Sequence, residues 1–377
     1  MTEHELHAAR RFGLDPREIQ SLTTTRVVPF NREIPQPSLV SVVIPCFNYE
    51  DYLPSAVNSA ISQVGVRTEV IIVDDRSTDR SLEVAKKLVA MNSNVTVLEH
   101  KVNRGPVETF NDGLAAASGE FLVRLDADDL LTPGSLRRAV RVLQDHSNIG
   151  MIYGRPLHFS GSKLPSHRQT ASKVTLWPGL EWLERRCQDG LNVITSPEVV
   201  MRKSLVDLVG GQMPLAHTHD MEMWLRIAAF SDVAYLRGCD QAWHRDHEMS
   251  LSARLVDLPT DLEERRKAFE TLFSGIAADK PWVPRLRERA ARALDEACVS
   301  LACHELDRRV PDSDLVNKLL RQLSGGNSNL YPTVKRIQSR IGQSKSTRSK
   351  TMGLFRRLRD RARADLSRIR WSRYGEY

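Results

Sequence analysis

The sequence predicts an α/β fold in which helices alternate with the strands of a mainly parallel central sheet. Short, β-branched apolar runs are separated by segments of helical length. This alternation implies βαβ units, whose right-handed crossovers bring the carboxyl ends of the strands to one edge of the sheet. The runs that predict strands are 39–44, 70–73, 95–98 and 121–125.

The first strand and helix follow from local sequence. Leu39–Ile44 is an apolar run that suits a buried strand, and Pro45 is expected to end it. Residues 51–62 then have a helical pattern, and the apolar run 70–73 predicts the second strand.

The next two helices are bounded by residues that favour helix ends. Ser77 or Thr78 can cap a helix that extends to about Met91. A further helix is predicted over 106–117, with a proline in its first turn and Gly119 closing it.

The rest of the chain is less regular and then becomes helical. A helix is predicted from 134 to about Asp145, followed by short strands and loops over 149–210. Another helix should start near Asp220, and residues 258–322 are helix-rich. We therefore predict these segments: an N-terminal lead-in (1–38), an α/β domain (39–253), a helical extension (254–323), a flexible linker (324–353) and a basic amphipathic tail (354–377). Pro29 and two later prolines should interrupt any regular element in the lead-in.

Composition and charge limit the class of protein. The net charge of +7 is uneven, because residues 335–377 hold 14 basic and 3 acidic groups, leaving 40 basic and 44 acidic groups elsewhere. The remaining residues, 1–334, form a slightly acidic body, and this charge argues against an extended nucleic-acid-binding surface. The sequence has no apolar run near 18 residues, no apolar signal-peptide core and five scattered cysteines, so we expect a reduced, cytoplasmic protein.

Three polar clusters follow predicted strands. They are Pro45–Asn48, Asp74–Asp75 and Asp126–Asp129. Ligands of open α/β sheets bind outside the carboxyl ends of the strands, so the three clusters should converge on one crevice.

The segment Asp126–Asp129 predicts a metal site. Carboxylates that are buried together repel each other and lose hydration, and a divalent cation relieves both effects. Oxygen ligands suit Mg²⁺ or Mn²⁺. The alternative is a turn followed by a helix N-cap, since Asp favours both.

Two further residues could contact a nucleotide base. Asp75, at a strand end, can accept the ring N–H of a uracil or thymine, although helix capping nearby is an alternative role for this segment. Arg104 could stack on a base or hydrogen-bond to it, and Gly105 permits close approach of the backbone.

Nine short motifs, taken in their order along the chain, resemble those of family 2 glycosyltransferases. These enzymes have the GT-A fold, a Rossmann-like fold of nucleotide-diphospho-sugar transferases. The resemblance spans about 39–253. The motifs are Ser41–Asn48, Val73–Asp79, Asn103–Gly105, Asn111–Gly113, Ala117–Glu120, Leu125–Asp129, Val209–Gly211, His219–Arg226 and His244–Ser252.

The resemblance implies a role for each matching residue at the donor end. Pro45, Asn48 and Asp75 would frame the base, with Arg104 against it. Asp126 would contact the ribose or the diphosphate.

At the metal and the acceptor, Asp128 would hold Mn²⁺ or Mg²⁺. Asp220 would be the general base, although His219 stands where the family has Glu. His247 would touch the metal or the diphosphate, and His244 replaces the family's Tyr.

The resemblance further implies an inverting transfer from a nucleotide diphosphate sugar, UDP by family habit, to a hydroxyl acceptor. A glycan or lipid-linked acceptor in cell-envelope or polysaccharide synthesis would suit it. Two other functions stay open: a sugar nucleotidyltransferase, whose glycine-rich signature is replaced here by Pro45–Asn48, and a non-catalytic nucleotide-binding scaffold. Helix capping by Asp220 and zinc binding by His217 and His219 are the alternatives at the base.

The basic tail predicts a membrane-binding helix. Its apolar residues fall near one face, and arginines cover much of the remainder, with Trp371 and Tyr374 beyond. Such a helix fits the anionic inner face of the plasma membrane. The alternatives are a disordered tail, a tail bound to a protein partner, and nucleic-acid binding. Because residues 1–334 are slightly acidic, we expect no nucleic acid.

Overall fold

The computed structural model describes residues 22–247, 257–308, 310–325 and 328–341. The chain divides into two compact units, the first formed by 1–183 with 194–250 and the second by 184–193 with 251–377.

Ten strands of the described residues form one sheet in the first unit. Its order is β1-β8-β10-β7-β9-β5-β2-β3-β4, and β6 pairs with β10. The strands are β1 (Arg26–Pro29), β2 (Leu39–Cys46), β3 (Arg67–Asp74), β4 (Val95–Glu99), β5 (Phe121–Arg124), β6 (Leu130–Leu131), β7 (Ile149–Phe159), β8 (Lys173–Trp177), β9 (Val200–Arg202) and β10 (Asp232–Arg245).

The central strands confirm the predicted parallel sheet. Strand β2 pairs in parallel with β3 and β5, β3 pairs in parallel with β4, and β10 pairs in parallel with β7. Antiparallel pairings add β1, β6, β8 and β9. Strands β2, β3 and β5 are almost wholly buried because helices cover both faces of such a sheet.

Helices of the first unit pack on this sheet. One close approach is at Gly113, where an added Cβ would lie 2.4 Å from Val43 Cγ1. The helices are α1 (Leu53–Ile61), α2 (Ser81–Met91), α3 (Pro106–Ala116), α4 (Ser135–Asp145), α5 (Gly179–Asp189, which crosses the boundary between the units), α6 (Lys203–Val209) and α7 (His219–Phe230).

The second unit is helical, as predicted. Its helices bury Leu, Phe and Ala side chains, including Leu272 and Leu294. They are α8 (Leu258–Ser274), α9 (Val283–Leu306), α10 (Ser313–Arg321) and α11 (Tyr331–Ile341), with a short 3₁₀ helix at Ser328–Leu330. Helix α11 lies inside 324–353, where we predicted a flexible linker.

Several predicted boundaries were wrong. Strand β2 continues through Pro45 to Cys46, and Pro45 stands in register with Val73 of β3. Helix α2 begins at Ser81, so neither Ser77 nor Thr78 caps it. The lead-in contains an edge strand, β1, which ends at Pro29, a position where an edge strand tolerates proline.

The region 149–210 also departs from the prediction of short strands and loops. It holds the 11-residue strand β7 and the two helices α5 and α6. All five cysteines lie among the described residues, where they are buried and form no disulfide bond. Within the residues that the structure describes, no helix is both long enough and apolar enough to cross a bilayer. The basic tail, 354–377, lies outside the described residues.

Candidate active site

Polar residues follow the carboxyl ends of β2, β3, β4 and β5. These four strands are neighbours in the sheet, so the polar residues lie along one edge. The backbone is unusual at two of these ends, because Asn48 and Arg76 have φ values of 62° and 63°. Non-glycine residues rarely adopt this left-handed conformation, although Asn adopts it more readily than most.

Asn48 holds the turn formed by Ser77–Asp79. Its Oδ1 accepts hydrogen bonds from Thr78 N at 2.7 Å and Asp79 N at 3.4 Å, and its backbone N donates to Ser77 Oγ at 3.1 Å. The segment from Ser77 to Asp79 is thus fastened to the end of β2. We expected Asn48 to frame a base directly, and here its side-chain oxygen is occupied by backbone donors.

Asp75 fixes the loop that follows β4. Its Oδ1 accepts from Arg104 N at 2.7 Å and its Oδ2 accepts from Gly105 N at 2.8 Å. Asp75 is 3% exposed. The predicted base-binding residues Asp75 and Arg104 therefore lie together, joined through the backbone.

His100 is a residue that sequence reasoning missed. Its Nδ1 lies 2.8 Å from Asp75 Oδ1 and its Nε2 lies 2.9 Å from Asp112 Oδ2. The Arg104 guanidinium also contacts Asp112, and it lies 3.1 Å from Glu108. A lone histidine after a strand carries no motif, so only the fold reveals this bridge between two carboxylates.

Asp126 is held at the end of β5 by an arginine. Arg124 Nε lies 3.1 Å from Asp126 Oδ1, and Arg124 Nη1 donates to Gln212 Oε1 at 3.1 Å. Arg124 is 5% exposed, whereas the Asp126 side chain is 35% exposed. The carboxylate is therefore accessible from solvent while its partner is buried.

The two residues predicted to bind metal lie in contact. His247 Nε2 is 2.6 Å from Asp128 Oδ2. Burial and the neighbouring charge of Asp126 raise the pKa of Asp128. A cation would favour the ionised form, and the carboxylate oxygens are donors that Mn²⁺ and Mg²⁺ prefer. Asp128 and His247 thus fit a divalent cation.

Asp129 belongs to a separate pair with His244. Its Oδ2 lies 2.9 Å from His244 Nδ1, and its Oδ1 accepts from Arg245 N at 2.8 Å. Burial raises the pKa of Asp129 to about 7. Burial also opposes protonation of His244, yet the hydrogen bond and charge of Asp129 raise the pKa of His244 to about 9.

Aromatic side chains pack around His247. The Tyr52 ring stacks on it with centroids 5.9 Å apart, and the Tyr49 ring meets it edge-on at 6.3 Å. The Arg245 guanidinium lies 4.6 Å from the Tyr52 ring centroid. Burial and the charge of Asp128 raise the pKa of Tyr49, so its phenol stays protonated.

Asp220 lies in the first turn of α7, which begins at His219. Its Oδ2 accepts from Ser196 Oγ at 3.3 Å, and its Oδ1 accepts from Met221 N at 2.6 Å. Burial raises the pKa of Asp220, while the charge of Arg124 lowers it. Asp220 therefore lies within electrostatic reach of the Arg124–Asp126 pair, and Thr218, not Asp220, occupies the N-cap position.

The zinc alternative at His219 finds no set of ligands among the described residues. Burial and the charge of Arg124 lower the pKa of His219 to about 3, so the ring is neutral inside the fold. Within the described residues, no metal-binding group includes His217 or His219, whereas one does include His158, His244 and Asp246.

Solved structures define the class of this fold. Staphylococcus aureus TarS residues 1–349, in complex with UDP-GlcNAc, superposes with a TM-score of 0.57 at 18% identity, covering 80% of this chain and 88% of that one. The mannosyltransferase PcManGT from Pyrobaculum calidifontis, with GDP-Man and Mn²⁺, has a TM-score of 0.50 at 19% identity, covering 90% and 92%. The fold is the GT-A fold of glycosyltransferases.

Sequence comparison finds relatives for part of the chain. Residues 41–207 match the model described as glycosyl transferase family 2. An uncharacterized glycosyltransferase of Nostoc sp. is 39% identical over 114 residues, which cover 30% of this chain and 35% of that protein. The chain thus matches about a third of the length of that relative.

Proposed function

We propose that the chain is a metal-dependent, inverting glycosyltransferase that uses a nucleotide diphosphate sugar and a hydroxyl acceptor. The observation that carries the proposal is the convergence of three groups at one sheet edge. These are the Asp128–His247 pair, the accessible carboxylate of Asp126, and the candidate base Asp220, whose pKa responds to Asp126.

The donor nucleotide would bind past the ends of β2, β3 and β4. Phe47 and Val102 are exposed there, at 42% and 65%, and offer apolar surface to a base. Asp75 and its hydrogen bonds to Arg104 N and Gly105 N give that surface a fixed polar border. A uridine nucleotide is our first choice of donor, because TarS is a structural neighbour solved with UDP-GlcNAc.

Asp128 and His247 would hold Mn²⁺ or Mg²⁺ beside the diphosphate, with Asp126 next to them. A bound divalent cation neutralises charge that develops on a leaving diphosphate. Arg124 keeps the Asp126 carboxylate in place from the buried side.

Asp220 would accept the proton of the acceptor hydroxyl as its oxygen attacks the anomeric carbon. The new carbon–oxygen bond forms on the face opposite the diphosphate, the bond to the diphosphate breaks, and the configuration inverts. Ser196 donates to Oδ2 of Asp220 and orients the carboxylate for this step.

The acceptor would be a glycan or a lipid-linked sugar of cell-envelope or polysaccharide synthesis. TarS is named as a poly(ribitol-phosphate) β-N-acetylglucosaminyltransferase, and it shares 33% identity with this chain over 140 residues. We further propose that the protein works in the cytoplasm, at the inner face of the plasma membrane, where its basic tail would hold it.

The test is release of nucleoside diphosphate from a panel of UDP-, GDP- and dTDP-sugars, with Mn²⁺, with Mg²⁺ and with a chelator. We expect turnover that needs the cation and that falls on the order of 10²–10⁴-fold in Asp128→Asn and in Asp220→Asn. Asp207→Asn is the matched control, because Asp207 is an exposed carboxylate paired with Lys203.

The two other functions give different results in the same assay. A nucleotidyltransferase would release pyrophosphate from a nucleoside triphosphate and a sugar phosphate. A non-catalytic scaffold would bind the nucleotide with no turnover in wild type. Cation-independent turnover that is equal in Asp128→Asn and wild type would contradict the proposal.

A further inference from the structure

A second group of metal-binding side chains lies at the ends of β7 and β10. His158 of β7 is the register partner of His244 of β10, and Asp246 follows one residue after β10 ends. His158 Nδ1 lies 3.2 Å from Asp246 Oδ1, and the two imidazole rings are 5.1 Å apart between centroids. One ligand atom from each of the three residues lies within 4.8 Å of the other two.

His244 is already oriented in the way that metal-binding histidines are. Its Nδ1 faces the buried Asp129 carboxylate at 2.9 Å, which leaves Nε2 as the nitrogen available to a ligand. A histidine that binds a metal commonly donates its other ring N–H to a carboxylate, which fixes the tautomer and the ring plane. Asp129 is itself held by Arg245 N, so this orientation does not depend on any exposed group.

We propose that His158, His244 and Asp246 bind a transition-metal ion, Zn²⁺ or one with similar preferences, at a site separate from the Asp128–His247 pair. Two imidazoles and one carboxylate are a ligand set that favours Zn²⁺ over Mg²⁺. The proposal does not rest on the transferase activity.

The distances suit such an ion. Tetrahedral Zn²⁺ with bonds of about 2.0–2.1 Å holds its ligand atoms roughly 3.3 Å apart. The His158–Asp246 separation already has this length, and both of these side chains are more than half exposed, so they can rotate to bring the third ligand into range. Their exposure also leaves the fourth coordination position open to water or to a substrate group.

The ion would tie the end of β7 to the end of β10. It would also link this junction to Asp129, the residue next to Asp128 in the chain. Without an ion, His158 and Asp246 form an exposed pair beside the His244 ring. The position of His244 is then set by Asp129 and not by that pair.

The test is a Zn²⁺ titration of the full chain, with a chromophoric chelator as competitor, in an Asp128→Asn background that removes the other candidate cation site. We expect one equivalent of Zn²⁺ to bind. Adding His158→Asn or Asp246→Asn should weaken that binding at least tenfold. Adding His167→Asn should leave it unchanged, since His167 packs on Trp243 outside the group.

Co²⁺ gives a second readout, because nitrogen-ligated Co²⁺ of low coordination number absorbs visible light. That band should appear in the Asp128→Asn protein and disappear when His158→Asn is added, with the fold checked by circular dichroism. Equal Zn²⁺ affinity with and without His158→Asn, or no stoichiometric Zn²⁺ at all, would overturn the proposal.

Discussion

At the scale of single residues, the candidate base is balanced between groups that favour its neutral form and groups that favour its charged form. Burial raises the pKa of Asp220, whereas the Arg124 charge and the Met221 N–H lower it. The Ser196 hydroxyl donates to the same carboxylate from the loop before β9. A general base must be ionised, so the donors around Asp220 set the lowest pH at which it can work.

We expect Ser196→Ala to move the acid limb of kcat/KM to higher pH. The hydroxyl stabilises the carboxylate, so its loss raises the pKa of Asp220 further and reduces the ionised fraction at acidic pH. A hydrogen bond of about 1 kcal/mol corresponds to a shift of about half to one pH unit. The measurement is the pH profile of transfer, with the exposed Ser166→Ala as control. An unchanged acid limb would show that the Ser196 hydroxyl does not stabilise the ionised form of Asp220.

His100 allows a prediction about the donor. Its two ring nitrogens lie within hydrogen-bonding distance of carboxylate oxygens of Asp75 and Asp112, so the ring links the end of β3 to helix α3. The ring thereby fixes Asp75, and Asp75 fixes the loop at Arg104.

His100→Gln should weaken donor binding by roughly tenfold, the loss of about one charge-assisted hydrogen bond. Turnover at saturating donor should change little, because His100 contacts no group of the candidate base. Calorimetric donor affinity and kcat, measured side by side, check this split, with His146→Gln as control. A fall in kcat with unchanged affinity would contradict the role.

Residue identity could be predicted in part. The carboxylates Asp75, Asp126, Asp128 and Asp220 stand out in the sequence because Asp at a strand or helix end is a strong local signal. The sequence did not reveal His100 or Ser196, since each acts through a partner distant in sequence. It also did not reveal Arg124, which contacts Asp126 two positions away but is anchored by Gln212. Only the sheet brings Arg124 to Gln212, 88 positions further along the chain.

At the scale of elements, α7 does more than carry Asp220. Arg226 and Glu222, both 1% exposed, form a buried ion pair one turn apart. The Arg226 guanidinium also donates to the carbonyls of Val209, Gly210 and Gly211 at 2.6–2.8 Å. The loop after α6 is thus tied to α7.

We expect Arg226→Ala to lower the free energy of unfolding by about 3–5 kcal/mol, because it leaves the Glu222 carboxylate buried and unpaired. Urea unfolding measures the change. The control is Lys87→Ala, which breaks the exposed Lys87–Glu83 pair of α2 and should cost at most about 0.5 kcal/mol. A similar loss of unfolding free energy in both variants would show that Arg226 stabilises the fold no more than an exposed ion pair does.

Elements with a clear apolar period were predictable, and those without one were not. The runs of β2 and β3 are rich in β-branched residues, that of β5 is Phe-Leu-Val, and their positions were confirmed. Helix α5 was missed because most of its residues are polar or charged and because its buried face includes Arg186. Long strand β7 was missed because Pro156, a residue that disfavours a central strand, lies in its second half.

At the scale of the whole molecule, charge is divided along the chain. The excess of 11 positive charges in 335–377 accompanies a body with an excess of 4 negative charges. The amphipathic segment 354–377 lies outside the described residues, and membrane binding by this segment stays a proposal. Each Lys or Arg near an anionic surface can contribute about 1 kcal/mol, weakened by salt.

The full chain should co-sediment with anionic liposomes, and a chain ending at Ser344 should not. Raising the salt concentration should reduce the bound fraction, because the attraction is partly electrostatic. Neutral liposomes are the control. Equal sedimentation of both chains would discard the anchor, and salt-sensitive binding to nucleic acid in its place would identify the rival partner.

The single sheet of the first unit has a mechanical consequence. Strand β5, which leads to Asp126, is joined through β9 and β7 to β10, which leads to His247. A continuous ladder of this kind resists hinge bending, so the separation of Asp128 and His247 is set before any substrate arrives. For the proposed reaction, the slow events of a catalytic cycle would then be rearrangements of surface loops, and solvent viscosity would affect turnover through those loops alone.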